Sequence, residues 1–149
     1  MKVLSLFDGI SCGMLALQRA GIPVECYDAF EIDKYAVTVS KRNFPVIVHH
    51  GNVYDGDFTQ FKGYDLLLGG SPCTYWSIAK KDREIDCNGE GFKLFKEYVR
   101  ALEESGCQYF LYENNYSVHQ NIKDEITRVL GVEPIMINSA LVSAQNRKR

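Results

Sequence analysis

A cysteine in a glycine-rich bend, Gly69-Gly70-Ser71-Pro72-Cys73-Thr74, has the setting of a reactive thiol. Held behind a proline and able to approach backbone donors, such a thiol becomes a nucleophile when nearby positive potential favours the thiolate. In an arbitrary setting a cysteine is a small inert apolar side chain, so Cys73 is open to both roles. Further along, Glu113-Asn114-Asn115 places a carboxylate directly after an apolar run. Partial desolvation in a crevice would suit it to donate a proton, whereas the same acid at a helix start would only cap it. Arg147 and Arg149 are spaced so that, on an extended segment, their guanidinium groups point the same way.

Near the beginning, Phe7-Asp8-Gly9-Ile10-Ser11-Cys12-Gly13 has glycines bracketing a turn. Glycine permits the tight turn and close approach of a ligand, and a following helix offers unpaired N–H groups to an anion; a tight turn with no ligand fits equally well. Glu31 occupies the place where doubly wound folds keep a carboxylate for ribose hydroxyls, or else it caps the helix expected from about Lys34. Cys12, Cys26, Cys73, Cys87 and Cys107 are odd in number and include no Cys-x-x-Cys pair, so neither structural zinc nor a disulfide framework is expected.

These groups need a scaffold, and a chain of 149 residues, 46% of them apolar, can bury a core without staples. Short apolar runs alternate with helical periods. Val3 to Phe7, Glu25 to Phe30, Val46 to His49, Asp65 to Leu68, Tyr109 to Tyr112 and Pro134 to Ile137 read as strands. Met14 to Ala20, Tyr35 to Asn43, Phe92 to about Glu104 and a segment ending at Gly131 read as helices, with Phe92, Phe95, Val99 and Leu102 forming the apolar stripe of the third. Strict alternation predicts an α/β class with right-handed crossovers, a doubly wound and mostly parallel sheet, and ligands at the carboxyl ends of its strands. Residues 1–149 are expected to form one domain. No run is apolar enough for a membrane span, and nothing resembles a secretory signal, so a reducing compartment is expected. A net charge of -2 lacks the general basic field of a non-specific nucleic-acid binder, leaving Lys80-Lys81-Asp82-Arg83 and Arg147-Lys148-Arg149 as local patches or ordinary solvated surface.

Taken in order, FDGIxxG, GGSPC, YEN and QNRKR resemble the DNA cytosine-5 methyltransferase family. Leu4 to Ile10, Gly69 to Cys73 and Val142-Ser143-Ala144 look like the branch that contains the eukaryotic de novo enzymes and phage and bacterial relatives, some of them partners of restriction systems. The resemblance implies the Rossmann-like fold of S-adenosylmethionine-dependent methyltransferases, with S-adenosylhomocysteine as product, and DNA as partner. It casts Cys73 as the nucleophile that adds to carbon 6 of a flipped cytosine, Glu113 as the acid on the ring nitrogen and exocyclic amine, and Arg149, with Arg147 beside it, as support for the base oxygen. For the cofactor it casts Phe7 against adenine, the Asp8-Gly9-Ile10 to Gly13 turn around the methionine moiety, Glu31-Ile32 at the ribose, Asn52-Val53 at the adenine amine, and Ser71 and Pro72 beside the nucleophile. No metal is implied.

The sequence also departs from the family. Asn52 stands where an acid is usual, Thr74 where glutamine or asparagine is usual, and Asn115 where valine is usual. Family members continue into a further strand, a target-recognition region and a C-terminal helix that finishes the cofactor pocket. The chain is therefore expected to be truncated before the last strand, with a second polypeptide or self-association supplying the rest, in a prokaryotic or phage-infected cytoplasm. Its terminal carboxylate is expected to draw the Arg149 guanidinium away from a substrate. An inactive or regulatory fragment keeping the fold and cofactor binding is the alternative. An RNA substrate is a further one, and a flavodoxin-like domain with a lone reactive thiol would leave Glu113 and the arginines unexplained.

Overall fold

A computed structural model describes all residues from Met1 to Arg149. The chain divides into two compact units, one of Met1–Gly70 with Arg100–Tyr112, the other of Ser71–Val99 with Glu113–Arg149.

The first unit is built on a fully parallel sheet of β1 (Lys2–Leu6), β2 (Cys26–Phe30), β3 (Val48–His49), β4 (Leu66–Gly69) and β5 (Tyr109–Tyr112), in the order β3-β2-β1-β4-β5. Leu6 is in register with both Phe30 and Gly69, so β1 and β2 end together and release Phe7 and Glu31 at one level. Both sheet faces are covered, as parallel strands require. On one face Val3, Tyr27 and Ala29 pack with Met14 and Leu17 of helix α1 (Cys12–Arg19) and with Ile47. The pleat turns Asp28 and Phe30 to the other face, where the Phe30 ring meets Phe58, Phe61 and His50. Helix α2 (Lys34–Asn43) starts at Asp33, whose carboxylate accepts from the amides of Tyr35 and Ala36. That cap is Asp33 and not Glu31.

β5 is one of the two outer strands of the sheet, with Tyr109 and Leu111 exposed. The strand expected at Pro134 to Ile137 is absent. Outside the sheet, Ile137 and Arg149 exchange both N–H···O bonds, at 2.8 and 2.9 Å, and Ile135 to Ile137 stay exposed.

The second unit holds residues 90–99 of helix α3 (Glu90–Ser105) and all of α4 (Gln120–Leu130), which ends at Gly131 with φ +69°. The α3 stripe is shifted from expectation: Tyr98 and Ala101 are buried with Phe92 and Phe95, in place of Val99 and Leu102. No helix is long and apolar enough to cross a membrane.

Candidate catalytic site

In the second unit Cys73 opens a one-turn 3-10 helix, Cys73–Tyr75, behind Pro72, and its thiol is exposed. The turn is held from below. Trp76 is 0% exposed, its indole N–H donates to Oε2 of Glu84 at 3.2 Å, and the Gly91 amide donates to the same oxygen at 3.1 Å. Residue 91 must be glycine, because a Cβ there would lie 2.7 Å from the indole nitrogen. The Cys73 carbonyl in turn accepts from the amides of Trp76 and Ser77.

The loop after β5 is tied to this turn. Asn114 Nδ2 donates to the carbonyl of the buried Ser71 at 3.0 Å, and Arg83 donates to the Ser117 carbonyl at 2.9 Å. Arg83 therefore does more than sit on a solvated surface. The end of the chain joins the same cluster: Arg149 Nε lies 2.7 Å from Oε1 of Glu113, and the Tyr116 amide donates to the Lys148 carbonyl at 3.4 Å. The desolvation expected at Glu113 is not found, since its side chain is 52% exposed and ion-paired. The Arg149 guanidinium also donates through Nη1 to the Lys148 carbonyl at 3.0 Å. Arg147 is exposed and engaged through its backbone, to Ser139 and Asn138, so of the two arginines only Arg149 meets Glu113. Thr74 is exposed beside the thiol, and Asn115 accepts from Ser117 Oγ at 2.8 Å, an internal loop bond that valine could not make.

In the first unit the turn after β1 is held by its own acid. The Asp8 carboxylate accepts from Ser5 Oγ at 2.6 Å, from Tyr27 at 2.7 Å and, in a very short bond, from Ser11 Oγ. Phe7 and Ser11 both have left-handed backbones, φ +56° and +64°, a conformation that costs a non-glycine residue about 1–2 kcal/mol. These bonds stabilise it. Gly9, at φ +61°, donates its amide to Glu31 Oε2 at 2.8 Å, while Oε1 accepts from the Asp33 amide. Gly13 allows α1 to approach the sheet: a Cβ would lie 2.8 Å from both Leu68 Cδ1 and the Tyr27 hydroxyl.

The donor set fits a nucleoside-type cofactor. Each Glu31 oxygen has one backbone partner and a lone pair left for a vicinal diol, and Ile32, 75% exposed, and Ile10 offer apolar surface to a flat ring. Asn52 Oδ1 caps the 3-10 turn Val53–Asp55 by accepting from the Tyr54 amide and keeps a second lone pair for an amine, while Val53 is buried.

Sequence reasoning missed Trp76, Glu84 and Asn114 as the groups that position Cys73 and Glu113. The lone tryptophan shortly after the thiol was a signal for the first, whereas the Glu84 and Asn114 contacts arise only from folding.

Comparison with known proteins places the chain in a family. The family profile described as C-5 cytosine-specific DNA methylase matches residues 1–131. The chain belongs to that family. Among methylase relatives, the "Orphan methyltransferase M.SPRI" of Bacillus phage SPR is 32% identical over all of this chain, and the "Orphan methyltransferase M.Rho11sI" of Bacillus phage rho11s is 36% identical over 76% of it. The chain spans 36% and 23% of the lengths of these two relatives. The crystal structure of S. pombe Dnmt2 methyltransferase superposes over the whole chain with a TM-score of 0.72 at 17% identity and 47% coverage of that protein, a likeness of fold. The Spodoptera frugiperda DNMT2 mutant structure gives 0.68 at 23% identity, over 87% of this chain and 40% of that one.

Proposed function

We propose that this cytosine methylase chain is the catalytic portion of a longer or two-part enzyme that methylates carbon 5 of cytosine in DNA through a covalent adduct. The observation that carries the reading is the Glu113–Arg149 ion pair on a loop tied, through Asn114 and Ser71, to the turn of the exposed Cys73.

Carbon 5 of cytosine is too electron-poor to take a methyl group directly. The Cys73 thiolate adds to carbon 6, forming the S–C6 bond and shifting the ring electrons toward carbon 5 and the ring nitrogen. Glu113, acting as the acid, gives a proton to the ring nitrogen as that charge develops and accepts from the exocyclic amine. Arg149, which engages Oε1 of Glu113, leaves Oε2 to face the base and orients the carboxyl group. S-adenosylmethionine, when bound, would supply the electrophilic methyl group that carbon 5 takes up, leaving S-adenosylhomocysteine. Phe7, the Asp8 to Gly13 turn, Glu31, Ile32, Asn52 and Val53 would hold that cofactor, with Ser71 and Pro72 flanking the nucleophile. Loss of the carbon 5 proton to a base then expels the Cys73 thiolate and restores the ring. The target base has to leave the duplex stack for these groups to reach it.

DNA containing 5-fluorocytosine tests the reading, because fluorine blocks the final proton loss and leaves the adduct in place. With the remaining portion of the enzyme supplied, a covalent protein–DNA adduct that disappears with Cys73→Ser is expected. No adduct under those conditions overturns it and favours a non-catalytic module. An adduct on RNA but not on DNA would move the substrate class.

A further inference from the structure

The Asp8 carboxylate is the end of a longer buried chain. Ser11 Oγ, which bonds Asp8, lies 2.5 Å from Ser40 Oγ on α2, and Ser40 Oγ lies 3.1 Å from Nε2 of His49 on β3. Ser11 and Ser40 are both 0% exposed. Proton accounting along this chain has one solution. An ionised carboxylate only accepts, so Ser11 spends its single proton on Asp8. The short Ser11–Ser40 contact then requires the Ser40 proton, and Ser40 can only accept from His49. His49 must therefore carry its proton on Nε2, which leaves Nδ1 as a bare lone pair. Nδ1 is indeed the buried side-chain atom with no hydrogen-bond partner. Burial, the largest influence on His49, holds its pKa below the usual histidine value; nearby Lys41 and His50 act in the same direction, while Asp8 and Glu31 oppose it.

We propose that His49 is a positioning residue for the glycine turn: as the terminal donor of the relay His49–Ser40–Ser11–Asp8, it holds residues 7–13 in the shape that receives the cofactor. The proposal rests on the reading of that turn as a cofactor site. Asp8 stabilises the left-handed Ser11 only while Ser11 gives it a proton, and Ser11 is committed to that role because Ser40 fills its acceptor side. Removing the His49 donor frees Ser40 to turn, loosening Ser11 and then the turn.

Three measurements test it on the complete chain. Nitrogen-15 imidazole shifts should report the Nε2–H tautomer at neutral pH; the Nδ1–H tautomer overturns the proposal. Amide exchange across residues 7–13, without any ligand, should quicken about three- to tenfold in His49→Phe and in Ser40→Ala, the span expected for one net hydrogen bond. The two changes combined should do no more than either alone, and His49→Gln, which keeps a side-chain N–H donor, should restore much of the protection. Ile47→Ala, a core deletion near the same strand, should lower the melting temperature without the local effect. Exchange of the turn that tracks global stability equally in all variants overturns the relay. Titration with S-adenosylmethionine, with the remaining portion of the enzyme supplied, separates the underlying reading. Binding to the native chain that weakens in His49→Phe supports both, and binding that is equal in both overturns the proposal. If the native chain fails to bind, the cofactor reading falls, and with it the proposed purpose of the relay, while exchange still decides its geometry.

Discussion

Arg149 Nε sits 2.7 Å from Oε1 of Glu113, joining the last residue of the chain to the loop that follows β5. The contact has a chemical consequence beyond holding the two segments together. A guanidinium on one carboxylate oxygen fixes the direction in which the other points, and direction decides whether a carboxyl group can meet the edge of a flat base.

Glu113→Gln removes the carboxyl group that pairs with Arg149 and carries the proton for the ring nitrogen. Adduct formation on 5-fluorocytosine DNA should fall about 10²- to 10³-fold, as for loss of one preorganised electrostatic group, with little change in melting temperature because the side chain is half exposed. A near-native trapping rate would remove Glu113 from the chemistry.

Trp76 is wholly enclosed beneath the Cys73 turn. Trp76→Ala should cost about 3–5 kcal/mol in denaturant unfolding, the range for emptying a large aromatic site. Trp76→Phe keeps most of the volume but leaves Glu84 without the indole donor. It should cost less overall while still slowing trapping at Cys73; unaltered trapping would show that the turn does not depend on this anchor.

Gly13→Val would place side-chain atoms against Leu68 and the Tyr27 hydroxyl, which already bonds Asp8. Overpacking of this kind costs about 1–3 kcal/mol. Weakened S-adenosylmethionine binding should accompany it, measured by titration calorimetry, because the displaced hydroxyl is part of the support for the turn.

Asp28 is 7% exposed and accepts from Tyr64 at 2.6 Å while contacting His50 Nε2 at 2.6 Å. Asp28→Asn replaces one acceptor oxygen with a donor that faces another donor. A loss of about 1–3 kcal/mol in chemical denaturation is expected. Tolerance of the change would show that one of the two partners is dispensable.

His49 links stability to pH. Burial lowers its pKa from the ordinary 6.5, so just below that pH the unfolded chain binds a proton that the folded chain does not. Stability should therefore rise with pH between the depressed native value and the ordinary one, and this contribution should be flat above and below that window. The melting temperature of His49→Gln should lack this component, and an identical pH slope in both proteins would assign the effect elsewhere.

Much of the architecture was legible from local pattern. Leu66-Leu67-Leu68 had the continuous apolar character of a strand buried on both faces, α1 and α2 lie within a residue or two of their expected spans, and α4 ends at Gly131 as expected, because glycines and a pre-proline position end these helices. Pro134 to Ile137 failed for a physical reason: an apolar run becomes a strand only when another strand takes its hydrogen bonds, and here only Ile137 finds a backbone partner, in Arg149. The α3 stripe failed by a fraction of a turn, since Tyr98 and Val99 are equally good candidates until packing chooses between them.

By itself the sequence determined the α/β alternation, the glycine turns and the placing of Cys73, Glu113 and Glu31 just beyond strands, because those depend on residue types and spacings along the chain. Tertiary structure alone decided that Arg149 and not Arg147 meets Glu113, that Trp76 and Glu84 anchor the thiol, and that Asp8 heads a relay ending at His49. The partners in each of these relationships other than Trp76–Glu84 are far apart in sequence. Which side chain reaches which depends on the register of strands and the seating of loops, and no local periodicity records either.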